Sequence, residues 1–155
     1  MRINIFEARL NEFSHPILFK ENSMNYCVDT SFNMPTRIVT VMNEVFHLNE
    51  MAEEFVYMAS LNTKLVPTSF FLISKGNVNS SLISPREVLI RALLSGATHI
   101  ILIHNHPSRD TTPSSQDLQV TKRIMDASQI VGIILADHII IGGDSFLSFK
   151  ERNLI

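Results

Sequence analysis

The run Ile100-Ile101-Leu102-Ile103 constrains this chain more than any other stretch. It is apolar without alternation. A strand that alternates apolar and polar residues can leave one face in water. A strand that is apolar throughout must be covered on both faces. His99–Ile103 therefore predicts a buried central strand with a layer of structure on each side of its sheet. Gly132–Ile141 is a second largely apolar strand, interrupted by Asp137 and His138.

The covering layers can be read from periodicity. From Thr36 to His47, residues Ile38, Val39, Val41, Met42, Val45 and Phe46 recur at helical spacing, with Asn33 or Thr36 as the cap. Phe55–Leu61 predicts a strand, Asn62-Thr63-Lys64 a turn, and Leu65–Ser74 a second strand. Pro67 suits an edge position there, because proline cannot donate to a ladder. Lys75-Gly76-Asn77 then makes an antiparallel meander. Ser84-Pro85-Arg86-Glu87 starts a helix: Ser84 caps, Pro85 takes the first position, and Glu87 completes a capping box. Val88, Leu89, Ala92 and Leu93 form its apolar face, and Gly96 stops it. A third helix, Pro113–Ser128, buries Leu118, Thr121, Ile124 and Met125. Phe146–Phe149 is a last short strand. The order of elements predicts an α/β sandwich, a mixed central sheet flanked by helices on both faces. Residues 1–35 form an N-terminal extension to the unit at 36–155. Ile3 and Ile5 suit an early strand, while Glu21–Asn33 is polar and predicts a loop.

Composition excludes several functions. Apolar residues make up 45% of the 155 and charged residues 18%, the balance of a chain that folds around a core. A net charge of −2 offers no general electrostatic grip on nucleic acid. Lys122-Arg123 reads as a solvated helix face. Cys27, the single cysteine, cannot form an intrachain disulfide and reads as an inert apolar residue in a reducing compartment. No apolar run approaches the ~20 residues of a membrane span. Met1-Arg2-Ile3-Asn4 lacks the apolar core of a signal peptide. A cytoplasmic location is the expectation.

The chemistry concentrates in Ile100–Asp117. His104 and His106 are two apart at the end of a strand, so both imidazoles project to one face. Pro107 ends the strand. Thr112 suits a helix cap and Pro113 the first helical position, which puts Ser114 and Asp117 on one face of the helix start. Two imidazoles and a carboxylate make a three-ligand zinc set with a fourth position open for water, the pattern of catalytic rather than structural zinc. The competing reading is ordinary loop polarity followed by a first-turn carboxylate that favours the helix dipole. Asp137 and His138 also need partners within their apolar strand. His138 is either a satisfied core histidine or a residue that orients a ligand. His15, His47 and His99 show no such pattern.

The run His104-Asn105-His106-Pro107-Ser108 followed by Pro113-Ser114-Ser115-Gln116-Asp117 resembles the JAMM motif of JAB/MPN-type metallopeptidases. In the form HNHPS…PSxxD it resembles the RadC branch, as do Ser84–Glu87 and Asp137–Gly142. The resemblance covers roughly residues 36–155. It implies a cytidine-deaminase-like architecture, one Zn2+ held by His104, His106 and Asp117, and Ser114 as a donor to the developing oxyanion. It also implies a glutamate that carries the proton without touching the metal. By register from Asn62-Thr63-Lys64 this glutamate is Glu54, which shares a strand face with Val56 and Met58. Glu53 is the alternative. Arg109 stands where such proteins carry glycine and is strained if that position needs φ > 0. The helix-hairpin-helix segment of many RadC proteins has no counterpart in residues 1–35.

Three functions follow from the resemblance. The first is hydrolysis of a peptide or isopeptide bond in a protein substrate through metal-activated water. The second is a factor associated with DNA repair or recombination, against which the charge counts, since direct nucleic-acid binding by this chain is not expected. The third is a non-catalytic interaction module, against which the full ligand set counts. Apolar edge strands are compatible with a homodimer.

Overall fold

The computed structural model describes residues 2–26, 31–76 and 83–155. Cys27 and the Asn77 end of the predicted turn lie outside these residues. Strands β1 (Arg2–Leu10) and β2 (Pro16–Asn25) come first. Helix α1 (Pro35–Phe46), β3 (Phe55–Leu61), β4 (Pro67–Lys75), α2 (Pro85–Leu94), β5 (His99–Asn105), α3 (Ser115–Ile130), β6 (Ile134–Gly142) and β7 (Ser145–Ser148) follow. The strands form one seven-stranded sheet in the order β2-β1-β4-β3-β5-β6-β7. It is mixed: β5 runs antiparallel to β3 and parallel to β6.

The apolar β5 run occupies the position its composition demands. Ile101 and Ile103 face one layer, with Ile38, Val41, Met42 and Phe46 of α1. Ile100 and Leu102 face the other, with Val88 and Ala92 of α2 and Val120 and Ile124 of α3. The result is a three-layer α/β sandwich whose sheet has helices on both faces. Its two cores meet only through the sheet, so each side chain at the carboxyl end of β5 is committed to one layer.

Several local readings need correction. Residues Glu21–Asn25 are not loop but the second half of β2, paired with β1 from Arg2↔Asn25 to Leu10↔Pro16. The hairpin tip carries no glycine. Asn11 Oδ1 accepts from the backbone N–H groups of Phe13 and His15, both at 2.9 Å, and Ser14 takes φ 60°. This Asx-type turn substitutes for the usual Asn-Gly signal. Strand β4 is interior, between β1 and β3. Pro67 is tolerated because it is the strand's first residue, not because β4 is an edge. Helix α1 is capped by neither Asn33 nor Thr36: Met34 precedes Pro35 with no side-chain cap. At α2, Ser84 accepts from Arg86 N–H, but Glu87 turns away to Arg91 at 3.0 Å, so no capping box forms.

Helix α3 starts two residues later than expected. Ser114, not Thr112, is its N-cap, in a reciprocal capping box with Asp117. Thr121 and Ile124 are buried as expected, but Leu118, also assigned above to the core, is 42% exposed, and Val120 is buried in its place. Phe70, in contrast, packs its ring on Phe32 at 5.9 Å and on Phe46 at 5.3 Å. Urea unfolding should register this difference. Phe70→Ala is expected to cost about 3–5 kcal/mol and Leu118→Ala no more than about 0.5 kcal/mol. Comparable losses at both positions would contradict the placement of α3.

Candidate metal centre

Strand β5 ends in three polar residues with separate duties. His104 is opposite Val56 of β3 and projects into the layer shared with α3. It is buried, and its Nδ1 lies 2.9 Å from His138 Nε2. Asn105 projects to the other side and is also buried. Its Oδ1 accepts from Phe55 N–H at 2.8 Å, and its Nδ2 donates to the carbonyl of Glu53 at 3.0 Å. These two bonds bracket Glu54. The middle residue of His-Asn-His thus fixes the backbone on either side of the candidate proton carrier. The sequence reading missed this role. Strand alternation and the need of a buried amide for partners could have signalled it.

His106 continues the ladder by one bond, donating from its backbone N–H to Ile141 O at 2.8 Å. Pro107 then forces the chain out. A turn closes with Arg109 N–H donating to His106 O at 2.9 Å. Arg109 sits at φ 65°, the left-handed conformation that its non-glycine side chain resists. The turn brings Asp110 O within 2.6 Å of His106 Nδ1. Gly142 permits this close approach, for a Cβ there would stand 2.6 Å from Arg109 O.

The third donor comes from the start of α3. Asp117 Oδ2 accepts from Ser114 N–H at 2.8 Å and from Ser114 Oγ–H at 2.6 Å. The capping box therefore engages Oδ2. Asp117 Oδ1 faces His104 Nε2 at 3.3 Å. His106 Nε2 lies 3.0 Å from His104 Nε2 and 3.6 Å from Asp117 Oδ2. Four-coordinate zinc with bonds of about 2.0–2.2 Å separates its ligand atoms by roughly 3.3 Å. The chemistry and spacing of this N, N, O set therefore fit such an ion. Among the described residues, His104, His106 and Asp117 are the group of His, Cys, Asp and Glu side chains with metal-holding geometry.

The remaining predicted residues fall as follows. Glu54 and Ser114 line one cavity of about 250 Å3 with His106 and Asp117. Glu53 does not line this cavity and pairs with Lys75 at 3.4 Å. Ser114 spends its hydroxyl proton on Asp117. Asp137 is fully partnered: its carboxylate accepts from His138 N–H at 2.8 Å, Lys150 N–H at 3.1 Å and Ser148 Oγ–H at 2.6 Å. It ties β6 to the segment after β7. Thr121 is a second residue the sequence reading left in the core without a role. Its hydroxyl lies 2.6 Å from His138 Nδ1.

Burial holds His104 down to about 4, against the pull of Asp117. It pushes His138 well below the usual imidazole value, with the neighbouring His104 adding to the effect. His106 is raised, chiefly by its bond to Asp117. For Asp117, burial opposes the charge, but the bonds from His106, the charge of His104 and the bonds from Ser114 outweigh it and lower its pKa.

A family model described as "RadC-like JAB domain" matches residues 32–154. Among curated proteins, the chain is 44% identical over 108 residues to a "UPF0758 protein" of Clostridium beijerinckii, covering 70% of this chain and 47% of that one. It is 47% identical over 103 residues to a "UPF0758 protein" of Chlorobium luteolum, covering 66% of this chain and 46% of that one. The chain spans about half the length of the curated relatives it matches.

Two expectations follow from the geometry. Arg109→Gly should relieve the left-handed strain and stabilise the fold by about 0.5–1 kcal/mol, whereas Gly142→Ala should drive the Arg109 backbone away and cost about 1–3 kcal/mol. Urea titration checks both, and a destabilised Arg109→Gly would refute the strain. The second concerns pH in the metal-free protein. His104 and His138 have folded values below 6.5. Between pH 6.5 and about 5 the unfolded chain therefore takes up protons that the native state refuses, and stability falls as pH falls. The contribution of His106, whose folded value is raised, is complete below 6.5 and is lost only as pH rises through that value. Urea midpoints should drop across the acid window and drop less in His138→Phe; flat midpoints would refute the burial argument.

Proposed function

The chain belongs to the RadC-like JAB domain family, and from this we propose that it is a zinc-dependent hydrolase of peptide or isopeptide bonds. The observation that carries the reading is the convergence of His104 Nε2, His106 Nε2 and a carboxylate oxygen of Asp117 within 3.0–3.6 Å, beside a cavity that Glu54 and Ser114 also line. Zinc held there supplies Lewis acidity, which makes a water nucleophilic near neutral pH. Glu54 would take a proton from the attacking water and return it to the leaving amine. Asn105 keeps Glu54 at this station through the backbone on either side of it. Ser114 holds Asp117 in the resting state and offers its hydroxyl to the oxyanion as charge develops.

The surroundings favour a peptide over a polyanion. Two cavities meet at His106 and a third opens beside it at Pro107 and Ser108; their lining carries Glu50, Glu53, Glu54, Asp110, Asp117 and Asp144 against the guanidinium of Arg109, with Glu53 paired to Lys75. A phosphate backbone needs the opposite balance. This weighs against the repair-factor reading as a matter of direct DNA contact. The complete donor set weighs against a non-catalytic module. No helix among the described residues is long and apolar enough to cross a membrane.

The test combines metal analysis with turnover of a quenched fluorogenic library containing peptide and lysine-isopeptide linkages. Protein purified without chelator should hold about one zinc per chain, lost in a His104→Ala/His106→Ala variant. Glu54→Gln should retain the zinc yet lose at least ~10²-fold in rate. Asp117→Asn should weaken the metal itself. A wild type that cannot be loaded with zinc would sink the proposal. Tight duplex binding at physiological salt would move the balance to the repair reading.

A further inference from the structure

His138 is buried in β6, and its ring stacks on Phe149 with centroids 4.6 Å apart and planes 26° apart. Its nitrogens meet different partners. Nε2 lies 2.9 Å from His104 Nδ1, and Nδ1 lies 2.6 Å from Thr121 Oγ1. Thr121 is one helical turn after Asp117, and its hydroxyl donates to the Asp117 carbonyl at 2.6 Å.

These contacts determine the direction of every proton. A carbonyl oxygen only accepts, and a hydroxyl has one proton to give. Thr121 spends that proton on Asp117 O, so toward His138 its Oγ1 accepts. His138 Nδ1 must therefore carry the N–H. The ring is buried, stacked on Phe149, and bonded through both nitrogens to uncharged partners, so no anion is in place to hold a second proton on it. Nε2 is left bare and accepts from His104 Nδ1–H. With its Nδ1–H given to His138, a neutral His104 has its lone pair on Nε2, the atom facing His106 and Asp117. His106 Nδ1 faces the Asp110 carbonyl at 2.6 Å, which likewise turns its Nε2 toward the site. The two Nε2 atoms, 3.0 Å apart, converge with a carboxylate oxygen of Asp117 on one point.

We propose that His138 and Thr121 are positioning residues: the chain from His104 through His138 and Thr121 to the Asp117 backbone holds His104 as its Nδ1–H tautomer and presents Nε2 to a metal ion. The chain also ties a donor on β5 to a donor on α3 by way of β6. The residues that bond a metal-ligating histidine from behind usually set its tautomer and its basicity. Here that task falls to a second histidine, whose own tautomer is set by a threonine. The purpose assigned to the chain rests on the metal-centre reading above. Its polarity does not.

Long-range proton–nitrogen spectra of metal-free protein labelled at histidine read the tautomer, with His104 assigned by its loss in His104→Gln. Wild type should show His104 as Nδ1–H. Thr121→Val removes the hydroxyl and keeps the branched shape, and should let the Nε2–H form of His104 appear. Zinc affinity, measured by competition with a chromogenic chelator, should fall about 10–100-fold in Thr121→Val and in His138→Phe, and return to within about threefold of wild type in Thr121→Ser. His138→Phe keeps the stack on Phe149; should it fail to fold by circular dichroism, the threonine pair decides alone. A Thr121→Val protein with an unchanged tautomer and wild-type zinc affinity would overturn the proposal. So would a wild type whose His104 carries its proton on Nε2, whether or not zinc binds. A wild type of the expected tautomer that takes no zinc would sink the metal-centre reading and leave the relay standing.

Discussion

Strand β5 is paired on both edges and covered on both faces, so neither His104 nor Asn105 at its carboxyl end can fall back on water. Everything at the site follows from this. His104 must find partners inside the protein, and it finds His138 behind and Asp117 in front. Asn105, turned the other way by the pleat, spends its amide on the backbone around Glu54. His106, one step beyond the strand, keeps a single ladder bond to β6 before Pro107 ends the pairing. The same burial that costs free energy for each polar atom also removes its freedom, and that loss of freedom gives the histidines defined orientations before any metal arrives.

Asp117 shows how one side chain serves the fold and the site together. Its Oδ2 belongs to the helix: with Ser114 it closes the capping box that starts α3. Its Oδ1 faces His104, while Oδ2 also lies 3.6 Å from His106. A carboxylate at a helix start is favoured by the helix dipole as well, so the charge needed beside two imidazoles sits where the backbone already stabilises it. The loop between His106 and Ser114 is held by an equally economical device. Gly142 leaves room for the Arg109 backbone, and the left-handed turn at Arg109 returns Asp110 O to His106.

Much of this could be read from particular residues. The unalternating Ile100–Ile103 run determined a doubly covered sheet, and the spacing of His104, His106 and Asp117 marked where polar chemistry would gather. The N-terminal hairpin could not be read, because β2 is largely exposed and its turn uses Asn11 and Ser14 in place of glycine. Leu118 was misplaced although Thr121 and Ile124 of the same helix were read correctly: the buried face runs through Asp117, Val120, Thr121, Ile124 and Ser128, and Leu118 stands outside it. Pro67 suggested an edge, yet a strand's first residue tolerates proline equally well.

What the sequence determined by itself, then, was periodicity and local chemistry: which segments are strands or helices, which of them must be buried, and which side chains share a face. These depend on interactions within a few residues. Only the tertiary structure decided that Asn105 reaches back to Met51–Phe55, and that Thr121 and His138 stand in line behind His104. Those relations join β3, β5, α3 and β6 across as many as 54 positions of sequence. They depend on register between strands and on the angle at which a helix crosses a sheet, and neither is encoded in any one segment.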